Sequence, residues 1–247
     1  MAFDVPRGRI FEVADVDVRL SREPLALDLT HRDQIARNWE AEIAANPALF
    51  DGEVVLMSAL AYRDGALVGQ CHATRYATFL YWRRHRGSLA FEHCYAHAML
   101  VSANGALIAA RMADHTVNAG KVYFAAGSFE PEDFRQGRAD LEYNMAREVR
   151  EETGLDISGV KGARPYLAYS AETGTAIFRR YDLADDADRI CADIRRHIAG
   201  ETCPELAEPV AIPNADVLPV GLLPHMRAVV DWHFASNGPK SAHRARP

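Results

Sequence analysis

The chain has 247 residues, 49% apolar and 25% charged, with a formal net charge of −6; it is long enough to bury a full core, and its acidic balance gives no sign of a nucleic-acid-binding surface. The four cysteines, Cys71, Cys94, Cys191 and Cys203, form no C-x-x-C pair or dense framework, the usage expected of reduced thiols in a cytoplasmic protein. No apolar leader core follows Met1 and no run of 18 apolar residues occurs, so no membrane partner is expected.

In chain order, residues 9–20 alternate apolar and polar from Val13 onward and predict a half-buried strand. Thr30 precedes a helical pattern that runs to about Ala45, with Ile35, Trp39 and Ile43 on one face, and Asn46-Pro47 ends it. Val54–Tyr62 and Ala66–Thr74 read as strands joined by an Asp64-Gly65 hairpin turn. An aromatic helix, Tyr76–Arg84, leads into the basic cluster Arg83, Arg84, His85 and Arg86. This cluster is either a solvated loop or a phosphate contact, with Arg84 as the candidate. Trp39, Phe50, Tyr76 and Trp82 are more naturally buried aromatics than base-stacking residues.

Strands Tyr95–Val101 and Ala106–Ala110 flank the two-residue turn Asn104-Gly105. His93 and His97 sit at i, i+4 on this strand pattern. That spacing is about 13 Å in a strand, so core or surface histidines are expected rather than a chelating pair. Strand Lys121–Phe124 ends in Ala125-Ala126-Gly127-Ser128, where backbone can approach a ligand closely. Residues 128–138 form a polar loop. Asp140 then caps a helix running to about Thr153. Strands Ala163–Ser170 and Thr175–Tyr181 follow around Thr173-Gly174. Next come a helix from Asp185 or Asp186 to Gly200, a strand at Ala207–Ile212 and a helix near Leu222–Ala235. Residues 237–247 are expected to fray.

The helix after Asp140 carries the chemistry. At about 100° per residue, Glu148, Glu151 and Glu152 occupy one third of its circumference. Leu141, Met145 and Val149 form an adjoining apolar stripe, and Gly154 sits where a helix end favours a left-handed residue. Clustered carboxylates are tolerated on a solvated face or beside a divalent cation. Hard oxygen ligands point to Mg²⁺ or Mn²⁺.

The stretch Arg147-Glu148-Val149-Arg150-Glu151-Glu152-Thr153-Gly154-Leu155 fits the pattern Arg-Glu-apolar-x-Glu-Glu-x-Gly-apolar at every specified position. From residue usage, a chance match is on the order of 10⁻⁵. That pattern is the core of the Nudix box, and the chain resembles the Nudix hydrolase superfamily. The resemblance implies an α/β/α sandwich with a mixed sheet over residues 89–236, preceded by a small α+β extension over residues 1–88. Asn46-Pro47-Ala48-Leu49-Phe50-Asp51-Gly52 is similar to an element in the N-terminal extensions of Nudix hydrolases acting on UDP-sugars.

The resemblance further implies hydrolysis of a nucleoside diphosphate linked to another moiety, water attacking phosphorus with Mg²⁺ or Mn²⁺. Glu151 and Glu152 match the principal metal ligands. Glu148 matches a further ligand or the water-activating base, and Arg147 the residue that orients it. Ala126 would offer a backbone carbonyl to metal, and Gly127 a close approach to substrate. Glu172, Glu201, Glu205 and Glu208 are candidates for an additional acidic group, with Glu205 and Glu208 favoured by Pro204 and Pro209. The box departs from the family twice. Gly127 lies twenty residues before Arg147 where fourteen is usual, and the outer glutamate position is Ala139, leaving Asp140 or Glu142 to substitute. The other reading is a catalytically silent Nudix-fold module that senses a nucleotide metabolite. A homodimer is compatible with a sheet-rich extension; no nucleic-acid partner is expected.

Overall fold

The computed structural model describes residues 3–172 and 174–237. The chain runs β1 (Phe3–Asp4), β2 (Ile10–Val13), β3 (Asp15–Leu20), α1 (Ala26–Thr30), α2 (Arg32–Ala45), β4 (Glu53–Arg63), β5 (Ala66–Arg75), α3 (Tyr76–Arg84), β6 (His93–Val101), β7 (Leu107–Met112), β8 (Val122–Tyr123) and β9 (Ala126–Ser128). A 3₁₀ turn, Pro131–Asp133, precedes β10 (Phe134–Arg135), β11 (Arg138–Ala139), α4 (Leu141–Thr153), β12 (Tyr166–Ala171), β13 (Gly174–Asp182), α5 (Ala187–Gly200), β14 (Leu206–Ile212) and α6 (Pro224–Asn237). Thr173 and residues 238–247, where a turn and a frayed tail were expected, lie outside the described residues. No helix among the described residues is long and apolar enough to cross a membrane.

Two mixed sheets carry the α/β fold expected from the sequence. The first has the order β1-β4-β5-β3-β11-β10; the second runs β14-β7-β6-β13-β12-β2, with β8 on β7 and β9 on β6. Alternation along single strands shows how they pack. On β4, Val55 and Met57 enter the central core while Val54 and Leu56 face a cluster with α3. On β6, Cys94, Ala96, Ala98 and Leu100 face the central core, and Tyr95, Met99 and Val101 face a cluster with Met226, Val229 and Val230 of α6. The second sheet therefore has α4 and α5 on one face and α6 on the other. The first sheet shares the central core and is covered on its outer face by α1–α3.

Several elements differ from the sequence pattern. The strand predicted over residues 9–20 bends at Ala14 into two strands that enter different sheets: β2 pairs with β12, and β3 pairs with β5. The helix expected after Thr30 is α2, and a further short helix, α1, which the pattern did not signal, precedes it across His31. The loop expected over residues 128–138 folds into the 3₁₀ turn and the β10-β11 hairpin, which joins the edge of the first sheet through Arg138 opposite Arg19. Thus β2 from before residue 88 completes the second sheet, and β10-β11 from beyond it complete the first.

Helix α4 is specified locally. The Asp140 carboxylate accepts from the Tyr143 amide at 3.0 Å, and Gly154 ends the helix at φ 71°. An ideal Cβ on Gly154 would stand 2.7 Å from the His197 ring, so close packing on α5 demands glycine as much as the φ does. Leu141, Met145 and Val149 are buried in the central core. Met145→Ala should cost about 2–4 kcal/mol and lower the melting temperature by roughly 5–15 °C, whereas Met145→Leu should cost less than about 1.5 kcal/mol. Chemical denaturation of the three proteins checks this; equal stability of Met145→Ala and wild type would contradict the packing role.

Candidate functional site

Two concavities adjoin strand β9. The first is an acidic cleft lined by Glu148, Glu151 and Glu152 of α4 and by Glu201, Thr202, Cys203 and Glu205 of the α5-β14 connection. The second is a cavity of about 400 Å³ on the α6 side of the second sheet, walled by aromatic, histidine and arginine side chains. Ala126 and Gly127 line the cavity and back onto the carboxylates. An ideal Cβ on Gly127 would fall 1.9 Å from Glu148 Oε1, so only glycine leaves room for that carboxylate.

Arg147 organises the acidic side. Its Nη2 lies 2.8 Å from Glu148 Oε1 and 3.1 Å from Asp133 Oδ2, and its Nη1 donates to Glu151 Oε2 at 3.0 Å. Asp133 is fully buried and also accepts from Asn144 Nδ2 and the Glu130 amide, both at 2.9 Å. Burial disfavours the arginine charge, but Glu148, Asp133 and Glu151 outweigh it and hold Arg147 above its ordinary value. The 3₁₀ turn therefore positions Asp133 as the fixed counter-ion of the arginine. Glu132 reaches the same guanidinium at 3.3 Å from the surface.

The glutamates differ in setting. Glu151 is exposed; Glu148 and Glu152 are each 8% exposed. Burial pushes Glu148 up to about 8, opposed by Arg147 and reinforced by Glu151 and Asp133. Burial, then the charges of Glu148 and Glu205, hold Glu152 well above the usual carboxylate range. A hydrogen bond from the Ala126 backbone acts the other way. Glu152 Oε2 is buried without a hydrogen-bond partner. Two adjacent buried carboxyls with an orphaned oxygen cost free energy unless protonated or met by a cation. Their side chains do not converge into a finished cage of three ligands among the described residues. The all-oxygen glutamate set, the orphan Oε2 and the Gly127 gap nevertheless fit a Mg²⁺ or Mn²⁺ ion held by Glu148, Glu151 and Glu152.

The other candidates separate clearly. Glu201 and Glu205 reach the acidic cleft, whereas Glu208 pairs with Arg111 at 2.9 Å on the β14-β7 ladder and Glu172 is exposed outside it. Arg84 points away and pairs with Glu42 at 2.8 Å; its neighbours Arg83 and Arg86 line the cavity instead. Neither proposed substitute for the outer glutamate reaches the carboxylates. Asp140 is the cap of α4, and Glu142 pairs with Arg179 and Arg164. The Ala126 backbone lies beside the Glu152 carboxyl and favours its charged form. Trp82 is buried as expected, Tyr76 lines the cavity, and Phe50 is 82% exposed because it sits on the turn before β4.

The histidines carry more than a core role. His93, Tyr95 and His97 alternate with small residues, so all three project from one face of β6 into the cavity. His93 Nε2 lies 2.9 Å from Ser128 Oγ. Burial, with Arg86 and Arg83 nearby, pushes His93 down to about 3. Burial, then His225, keeps His97 well below its ordinary value, so its ring is neutral. Its Nδ1–H donates to the Phe124 carbonyl at 3.1 Å, which leaves the Nε2 lone pair without a protein partner. Periodicity two over His93-Tyr95-His97, against Cys94-Ala96-Ala98, was the available signal for this wall.

No family model and no curated protein matches the chain. Among solved structures, it is similar to the MutT protein from Methanosarcina mazei Go1, at 18% identity over 60% of this chain and 96% of that one, with a TM-score of 0.41. It is also similar to the NUDIX domain of Shewanella oneidensis NrtR, which was solved with ADP ribose: 12% identity, 64% and 97% coverage, TM-score 0.43. RenU, a Nudix hydrolase from M. Smegmatis, is similar at 17% identity, 60% and 88% coverage, and a TM-score of 0.40.

Two outcomes follow from this geometry. Gly127→Ala should fold, because Glu148 can swing aside, yet lose roughly tenfold or more in Mn²⁺ affinity measured by titration calorimetry; unchanged affinity would contradict the Gly127–Glu148 fit. Stability should also depend on pH in two windows. His93 and His225 are lowered to about 3 and about 4, so their contribution is complete above 6.5 and is lost as pH falls through those values. Glu148 is raised, so its contribution is present below 4.5 and lost as pH rises through about 8. In chelator, Glu148→Gln should melt higher than wild type at pH 9 and match it near pH 4.5, with parallel alkaline profiles as the contradicting result.

Proposed function

We propose that this chain is a Nudix-type hydrolase that cleaves a nucleoside diphosphate linked to a second moiety, with Mg²⁺ or Mn²⁺ held by Glu148, Glu151 and Glu152. One observation carries the reading: two buried carboxyls, Glu148 and Glu152, stand side by side in an open acidic cleft, and Arg147 fixes one of them. A solvated helix face has no use for that burial. The match of residues 147–155 to the box pattern supports the same conclusion from the sequence.

The roles follow from position. A divalent cation supplies charge neutralisation on the diphosphate and a more acidic attacking water. Arg147 holds Glu148 through one carboxylate oxygen, so the other oxygen keeps a fixed direction in which to take a proton from water. Asp133 keeps the guanidinium from swinging out, which preserves that direction through the reaction. Glu151, at the exposed rim, neutralises the outward side of Arg147 and faces the mouth of the cleft. Glu201 and Glu205 stand across from α4 and raise the negative charge that a cation-diphosphate complex must balance. The cavity beyond β9 receives the organic part of the substrate.

The test is turnover of a panel of nucleoside diphosphate derivatives with Mg²⁺, read as phosphomonoester release through a coupled phosphatase. Wild type should turn over one class, and Glu152→Gln should lose roughly 10²-fold or more. Turnover in chelator equal to turnover with metal would defeat the mechanism. If wild type releases nothing while one compound raises its melting temperature, the chain is a sensor rather than an enzyme.

A further inference from the structure

The cavity beside β9 contains two cations that the fold leaves unbalanced. Arg83 lies in the last turn of α3 and Arg86 just past it, and both line the cavity. Among the described residues neither forms an ion pair, whereas Arg84 between them pairs with Glu42. Arg83 Nη2 donates instead to the neutral Asn118 Oδ1 at 3.1 Å, and the Arg86 guanidinium lies 5.3 Å from the centre of the Trp82 ring. A helix C-terminus balances about half a positive charge, not two guanidiniums beside an aromatic wall. Arg83 is half-buried and Arg86 exposed at the cavity rim, so both guanidiniums are free to meet an anion that enters the cavity.

The same cavity offers flat apolar faces. The Tyr76 and Phe79 rings stack at 5.6 Å, and those of His93 and Tyr95 at 4.7 Å. Its volume of about 400 Å³ falls in the range of small-molecule sites. We propose that this cavity is a metal-independent subsite for a nucleoside monophosphate unit, its ring among these aromatic faces and its phosphate on Arg83 and Arg86. The proposal rests on the hydrolase reading for the choice of a nucleoside as the aromatic group. It assigns substrate selection to α3, outside the segment that resembles the box. The phosphate next to the nucleoside is then gripped by arginine, and the bond to be cleaved lies toward Gly127 and the carboxylates.

The test is calorimetric titration of the intact protein in EDTA with adenosine, guanosine, cytidine and uridine and with their 5′-monophosphates. EDTA removes divalent cations, so any gain from the phosphate comes from protein groups. For the preferred base, the monophosphate should bind about tenfold or more tighter than the nucleoside. R83Q/R86Q should erase that gain, leaving nucleoside and monophosphate with equal affinity, and R83K/R86K should retain part of it. Equal affinity of nucleoside and monophosphate, a gain that survives R83Q/R86Q, or no binding by any of the eight compounds overturns the proposal. Metal-dependent turnover that persists alongside such a result would leave the hydrolase reading standing and remove only this subsite. Binding as proposed without turnover would do the reverse.

Discussion

The structure depends on housing two carboxyls, Glu148 and Glu152, side by side where burial opposes their charge. Arg147 is the resident answer for Glu148, and its own position depends on Asp133 beneath it. Each link serves the next. The 3₁₀ turn fixes Asp133, Asp133 fixes the guanidinium, the guanidinium fixes Glu148, and Gly127 leaves the space in which that carboxylate sits. Glu152 has no such partner, and its orphaned Oε2 is the unmet demand around which the cleft is arranged. Removing one member of a buried charge network costs more than the network contributes as a whole, so the cluster behaves as a unit.

The two sheets make that unit possible. Helix α4 lies in the core they share, so its apolar stripe is clamped from both sides while its acidic face is left at the edge. Strand β9 is laid on β6 beside the helix, which makes it the wall common to the carboxylates and the aromatic cavity. The chain builds the cavity from distant segments: α3 from the first half, β6 and β9 from the middle, and the start of α6 near the end. Rigid elements on all sides suit a site that must hold a ligand in one orientation.

What could be read in advance follows from how local each determinant is. Helix α4 was legible residue by residue, because its cap, apolar stripe and glycine terminus all lie within residues 140–154. The α/β class and most strand positions followed from alternation and turn residues. The division at Ala14 was not legible, because residues on either side keep one alternating pattern while choosing different partner strands. The β10-β11 hairpin was hidden for a similar reason: two-residue strands have no period of their own and exist by pairing with β3. That hairpin and the turn before it place Asp133 against Arg147. A substitute for the absent outer glutamate was therefore sought at Asp140 and Glu142, adjacent in sequence, while the buried carboxylate that meets Arg147 lies within the longer loop. Arg84 was singled out over Arg83 and Arg86 because sequence alone does not fix which face of a helix end meets a cavity.

The central claim is that the buried carboxyls exist to bind a divalent cation, and proton release tests it most directly. Mn²⁺ should be titrated calorimetrically at pH 7 in buffers of different ionisation enthalpy. With Glu148 raised to about 8 and Glu152 also held above the usual carboxylate range, cation binding at pH 7 should expel at least about one proton per cation, diminishing at higher pH and reduced in Glu148→Gln. Binding with no proton release at pH 7, or no binding at all, would contradict it.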